Sequence, residues 1–193
     1  MALPIAIVED QAADARRLEE LLQQQLPAAE CTWFACGDDF LRAAGVEFEI
    51  TEHKAVYNME ECARLDLPYP EDEAKNLFVR DDKKRDYYLI AVRGDKRVDL
   101  KEFRRIHGTR PLTFASADDL MSFLCLTPGS VTPLGLLNDT SHSVRFYLDE
   151  DFLSGSGRIG VHPNDNTATI WMSAVDLLRI IREHGTPTKT VVI

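Results

Sequence analysis

The chain has 193 residues, 45% apolar and 28% charged, enough to bury a real core in one large domain or in one domain with an appendage, and too apolar for a mainly disordered chain. Its 32 acidic and 22 basic residues leave a net charge of −10, which argues against non-specific nucleic-acid binding and against DNA as a partner, because neutralising phosphates takes Lys and Arg. No apolar run approaches the roughly 20 residues that cross a bilayer. Met1–Val8 meets Glu9-Asp10 without a basic leader, so the expected setting is cytoplasmic, away from membranes. The four cysteines (Cys31, Cys36, Cys62, Cys125) show no CxxC spacing and no clustering with the five histidines. Free thiols are expected, with no metal site, disulfide framework or cofactor.

In chain order, Ile5–Val8 is a short apolar run of the buried parallel-strand kind. Gln11–Leu26 predicts a helix with Leu18, Leu21, Leu22 and Leu26 on one stripe, ended by Pro27. Cys31–Ala35 predicts a second strand, and Asp38-Asp39 stand at a helix N-cap ahead of Phe40, Leu41 and Ala44. Apolar strand, Glu9-Asp10, helix, strand and acid-capped helix together resemble the start of a response-regulator receiver domain. In that family the acid pair helps hold magnesium beside a phosphorylated aspartate. The resemblance covers only about 44 residues, and no phosphoacceptor strand follows, so a working phosphorelay site is not expected. A strand-helix-strand piece cannot bury its own sheet and must pack on the rest of the chain or on another copy.

Further along, Val46–Ile50 alternates as a half-buried strand, and Asn58–Leu65 reads as a helix behind an Asn cap. Asp66–Asp72, with Pro68 and Pro70, predicts a loop. Asn76–Arg80 and Tyr87–Val92 predict a hairpin through the polar tract Asp81–Asp86. Asp99 caps a helix to His107 and Ser116 one over Ala117–Leu124; Ser173 caps the last helix, to His184, with Gly185 at its end. Val144–Leu148, Gly157–Val161 and Thr167–Trp171 are the remaining strands. Without regular alternation the pattern predicts an α+β fold, a mixed, mostly antiparallel sheet with flanking helices, carrying an N-terminal β-α-β extension. The expected boundaries are an extension over 1–37, a domain over 38–185 and a tail over 186–193. Between Glu73 and Arg110, twelve Lys/Arg face seven Asp/Glu, an excess of five. That stretch is either a solvated surface of mixed charge or a local anion-facing one; charge alone does not decide.

The chemically informative stretch is Thr127-Pro128-Gly129-Ser130-Val131-Thr132-Pro133-Leu134-Gly135. Two prolines and two glycines make a stiff, side-chain-poor loop whose backbone amides can face a ligand. Leu136-Leu137-Asn138-Asp139 follows, then His162-Pro163 and Asn166-Thr167-Ala168-Thr169; upstream stands Lys75-Asn76-Leu77-Phe78 with Arg80-Asp81. In order and spacing this set resembles the aminoacyl-tRNA editing family of YbaK, ProX and the insertion domain of bacterial prolyl-tRNA synthetases. The Thr after Val131 and the Leu136–Asp139 run are closer to the ProX branch. The likeness extends over roughly Asp38–Gly185. It departs at Lys54, where the family usually has proline, and this puts the pocket wall near Val56 and Tyr57 in question.

The resemblance implies hydrolysis of alanine mischarged onto tRNA(Pro), with the acceptor end of that tRNA as partner and prolyl-tRNA synthetase as a second one. Under it Lys75 is an electrostatic anchor for a phosphate or ester oxygen, the Gly129–Thr132 amides are oxyanion or carbonyl donors, and His162 positions the water or the ribose. Asn76, Ser130, Val131, Thr132, Pro133, Gly135, Asn138, Asn166 and Thr167 complete the substrate site, with Phe78, Val131, Leu134 and Leu136 as its apolar wall. No Ser-His-Asp or Cys-His set is evident, so no covalent nucleophile is assigned. An ester next to a 2′-hydroxyl needs little beyond positioning, an oxyanion hole and a water. The alternatives are a deacylase of cysteinyl-tRNA(Pro) of the YbaK type and a non-catalytic tRNA- or synthetase-binding module.

Overall fold

The computed structural model describes residues 3–8, 12–26, 29–34, 41–55 and 65–193. It divides into two units, Met1–Glu47 and Phe48–Ile193. The Glu9-Asp10 pair, the Asp38-Asp39 cap, Val56, Tyr57 and the helix expected over Asn58–Leu65 (its last residue apart) lie outside the described residues.

In the first unit, β1 (Leu3–Val8) and β2 (Ala29–Phe34) pair in parallel, Leu3 opposite Ala29 through Val8 opposite Phe34. Parallel neighbours need a crossover, and α1 (Ala12–Gln25) supplies it. Of the expected leucine stripe, Leu18, Leu21 and Leu26 are exposed, while Ala15 is buried.

The second unit holds a five-stranded and a three-stranded sheet. β4 (Ala74–Asp81) and β5 (Tyr87–Arg93) form the expected hairpin, Lys75 opposite Val92 and Arg80 opposite Tyr87. β6 (Leu112–Phe114) adds antiparallel to β4. On the other side β7 (Val144–Asp149) and β10 (Thr188–Val191) add in parallel, for the order β10-β7-β5-β4-β6. β3 (Phe48–Glu52), β9 (Ala168–Ser173) and β8 (Arg158–Val161) form the antiparallel three-stranded sheet, with β9 central. The residues expected as a tail thus include an edge strand. β3 begins two residues late, because Gly45, at φ +69°, sits in a turn that Val46 closes by donating to the Leu41 carbonyl.

The two faces of the five-stranded sheet have separate cores. On one, Val79, Tyr88, Ile90, Val92 and Tyr147 pack with Phe103 of α2 (Leu100–His107), and Leu77 joins them. On the other, Phe78 stacks on Tyr87 at 5.8 Å, and both rings meet Phe123 of α3 (Ala117–Leu124). The helix starts follow the sequence signals. Asp99 accepts from the Lys101 and Glu102 amides, Ser116 and Asp119 form a reciprocal capping box, and Ser173 caps α4 (Ala174–Glu183).

The same Asp119 ties α3 to the sheet: Tyr87 donates its hydroxyl at 3.1 Å and the Arg80 guanidinium lies 3.1 Å away. Burial alone would raise the Asp119 pKa. The Ser116 amide and hydroxyl, the Tyr87 hydroxyl and Arg80 outweigh it and hold the carboxyl below its ordinary value. A depressed folded-state pKa gives stability that is present above the unfolded value, about 4, and lost as pH falls through the folded one. Asp119→Asn is therefore expected to flatten the acid limb of a melting-temperature profile. With a cap worth about 1 kcal/mol, it should also cost roughly 2–4 °C at neutral pH. An unchanged acid limb would remove Asp119 from the account.

Candidate active site

The site grows from the end of α3. Cys125, at φ +54°, turns the chain out of the helix, and the Asn138 side chain donates to the Leu124 carbonyl at 2.8 Å, answering one of the helix's last acceptors. Gly129 has φ +96°, a left-handed conformation that L side chains rarely adopt. Ser130 closes the turn on itself: its amide and hydroxyl both donate to the Thr127 carbonyl, at 3.1 and 2.9 Å. Thr132 is fully buried and donates its hydroxyl to the His162 carbonyl at 2.7 Å. Its oxygen also receives the Leu134 amide, capping a 3-10 turn over Pro133–Asn138 with Pro133 leading. Gly135 lies where a Cβ would stand 2.5 Å from Leu126 Cδ1.

β4 presents Asn76 to this loop. Its Nδ2 donates to the Val131 carbonyl at 3.0 Å, which orients the amide and leaves Oδ1 buried with no donor among the described residues. Residues adjacent on a strand point to opposite faces, and Lys75 accordingly shares the face of Leu77 and Val79. Its amine donates to the carbonyls of Lys96 and Gly94 in the turn after β5. Burial pushes the Lys75 amine below its ordinary pKa; Asp95 opposes this and Arg97 reinforces it.

Two fixed carboxylates hold the surroundings of β4 in place. Buried Asp72, in the 3-10 turn Pro70–Asp72 just before the strand, accepts from Ser156 at 2.8 Å and faces Arg93 and Arg158. Buried Asp149 takes the Lys96 ammonium at 2.8 Å, so the turn whose carbonyls receive Lys75 is itself anchored.

From the far side, His162 follows β8, and its Nδ1 lies 3.0 Å from the Ala168 carbonyl. A carbonyl only accepts, so Nδ1 carries the proton and Nε2 of the neutral ring offers a lone pair. Thr167 gives its amide, at 2.7 Å, and its hydroxyl to Asp165. The Thr167 hydroxyl, then its amide, depress the Asp165 pKa against burial, with the nearby His162 and His53 adding to them. Asn166 lies half-buried in the same β8–β9 turn.

The structure thus joins Asn76 to Val131 and Thr132 to His162 in one cluster spanning both sheets. Lys75 stands on the other face of β4, and Ser130, Asn138 and Thr167 use their polar groups to hold local turns. Of the expected apolar wall, Phe78, Leu134 and Leu136 are buried and Val131 is half-buried. The Gly94 and Lys96 carbonyls escape a side-chain reading because they are main-chain groups.

Several cations of the basic stretch are spent on ion pairs. Arg80 meets Asp119, Arg93 meets Asp72, Lys96 meets Asp149 and Asp151, and Arg110 meets Asp81 and Asp82. A cleft of about 370 Å³ lined by Tyr88, His107, Arg110, Arg145, Tyr147 and Lys189 contains none of the expected site residues, and its Arg145 pairs with Asp86. Among the described residues no group of three or more His, Cys, Asp or Glu could hold a metal ion, and no helix is long and apolar enough to cross a membrane.

Residues 53–180 match the family model of the aminoacyl-tRNA editing domain. The prolyl-tRNA editing protein ProX of Acetoanaerobium sticklandii is 38% identical over 146 residues, covering 76% of this chain and 88% of that protein. The prolyl-tRNA synthetase associated domain-containing protein 1 of Danio rerio is 35% identical over 147 residues, 76% of this chain and 79% of its own. In fold, the chain is similar to a crystal structure provisionally described as a trans-editing enzyme for prolyl tRNA synthetase, with a TM-score of 0.59, 21% identity, and coverage of 95% of this chain and 99% of that one. Matched by the family model over most of its length, the chain belongs to the aminoacyl-tRNA editing domain family.

Proposed function

We propose that the protein is a cytoplasmic trans-editing deacylase that hydrolyses the ester of tRNA(Pro) mischarged with alanine, acting beside prolyl-tRNA synthetase. A synthetase pocket shaped for proline rejects the smaller alanine weakly, since a small loss of apolar contact is worth only about 1–3 kcal/mol. A second site can be built the other way, admitting alanine and excluding the proline ring by size.

The observation that carries this reading is Asn76. Its Nδ2 is committed to the loop and its Oδ1 is a buried acceptor with no donor among the described residues. A buried unanswered polar atom costs about 1–3 kcal/mol, and a substrate N–H or O–H would relieve that cost. The amides of Gly129, Val131 and Thr132 likewise make no hydrogen bond among the described residues, whereas the Ser130 amide closes its own turn. Those of Gly129 and Val131 are the donors for the developing oxyanion. His162 Nε2 orients the water or the ribose hydroxyl. Lys75 keeps a third N–H beyond the two directed at carbonyls, and we assign it the electrostatic anchoring of a tRNA phosphate.

The test is deacylation of alanyl-, cysteinyl- and prolyl-tRNA(Pro) by the wild type beside Lys75→Ala. The expected result is rapid release of alanine, sparing of proline and a loss of about 100-fold in kcat/KM for the variant. Preference for cysteine would assign the cysteinyl substrate instead. Turnover of none of the three would leave a binding module.

A further inference from the structure

A second, half-buried imidazole stands beside His162. His53, just beyond β3, has its main-chain amide on the Thr167 carbonyl at 2.8 Å. Its ring Nδ1 lies 2.9 Å from the Lys54 carbonyl and its Nε2 3.0 Å from the Thr169 hydroxyl oxygen. The two rings are 6.2 Å apart between centroids and inclined at 58°. The Lys54 carbonyl can only accept, so the His53 proton sits on Nδ1. Nε2 of the neutral ring is then an acceptor, and the buried Thr169 hydroxyl must be its donor.

Consecutive residues of β9 therefore fix both rings. Ala168 holds His162 through its main-chain carbonyl, and Thr169 holds His53 through its side chain. The consequences differ. His53 has both nitrogens engaged, so it has no lone pair or proton to offer a substrate without breaking a bond. His162 has Nε2 unengaged among the described residues.

We propose that His53, locked by Thr169, is a positioning residue for His162: a neutral ring of fixed tautomer that sets the direction in which His162 Nε2 points. This rests on the editing reading for the role of His162.

The experiment combines activity with a readout independent of it. In the histidine ¹⁵N spectrum of the wild type, both rings are expected as the Nδ1–H tautomer; a His53 ring protonated at Nε2 overturns the proposal whether or not the protein is active. On alanyl-tRNA(Pro), His53→Ala is expected to lower kcat about 10- to 100-fold with KM within about two-fold, the size of effect that a small misplacement produces. His53→Gln, which returns an acceptor oxygen towards Thr169, should recover most of that loss. Thr169→Val should lower kcat as well, and the double variant His53→Ala/Thr169→Val should be no worse than His53→Ala alone. Unchanged kcat in His53→Ala, or additive losses in the pair, would overturn it. A wild type that deacylates no charged tRNA is instead the failure of the editing reading, and the tautomer measurement then decides the lock by itself.

Discussion

Gly160→Ala is expected to lower the melting temperature by roughly 5–10 °C, more than any surface substitution in this chain. Gly160 faces Trp171 across the β8–β9 pair, and a Cβ there would stand 2.3 Å from Cζ3, 2.6 Å from Cε3 and 2.9 Å from Cη2 of the indole. The indole has nowhere to go. It is buried, its Nε1 donates to the Thr51 hydroxyl at 2.9 Å, and the Tyr69 ring meets it edge-on at 5.4 Å. Forcing one extra methyl into such a contact costs about 1–3 kcal/mol. Gly160 also bridges to Glu73, immediately before β4, so the strain reaches the strand that carries Asn76. Thermal melts of the pure variant check this; a melting temperature within about 1 °C of wild type would show that the indole yields.

Asn76→Asp should abolish most of the activity, with kcat/KM falling about 100- to 1,000-fold. The side chain keeps its size, but the donor aimed at the Val131 carbonyl becomes an oxygen, and a 3.0 Å attraction turns into a repulsion between two acceptors. In a half-buried position this pushes the loop off β4, and loss of alignment by an ångström is worth about 100-fold by itself. Steady-state deacylation beside a melting curve separates the two effects. Activity within about three-fold of wild type would take Asn76 out of the site.

Elements with a local signature could be read from the sequence. The β4–β5 hairpin is two apolar runs flanking a polar turn, and Asp99, Ser116 and Ser173 each cap a helix as their residue types predict. β6 and β10 have no such signature. Leu112-Thr113-Phe114 is three residues long and mostly exposed, and Thr188-Lys189-Thr190-Val191 is mostly polar; each is a strand only because β4 or β7 offers an unpaired edge. In the site, the Gly and Pro spacing marked the loop, while what its neighbours do depends on contacts made over long separations. The opposed directions of Lys75 and Asn76 were implicit in strand periodicity, since adjacent residues cannot both face one loop. His53 offered less to go on. Its stretch was visible only as a departure at Lys54, and its partner Thr169 lies 116 residues away.

The position of β5 in the sheet has a kinetic consequence. Its partner on one side, β4, is a short hairpin away, but on the other side Tyr88 meets Arg145 across 57 residues. Hairpins close in microseconds, whereas sheets dominated by distant pairings take milliseconds to seconds. The segment Thr127–Asn138 lies inside that long connection, and its Thr132 hydroxyl finds its acceptor at His162, beyond β7. A growing chain that ends between β7 and His162 would hold both Asn76 and the loop, but without the bond that ties the loop to the residue after β8. Competence for catalysis is therefore acquired late.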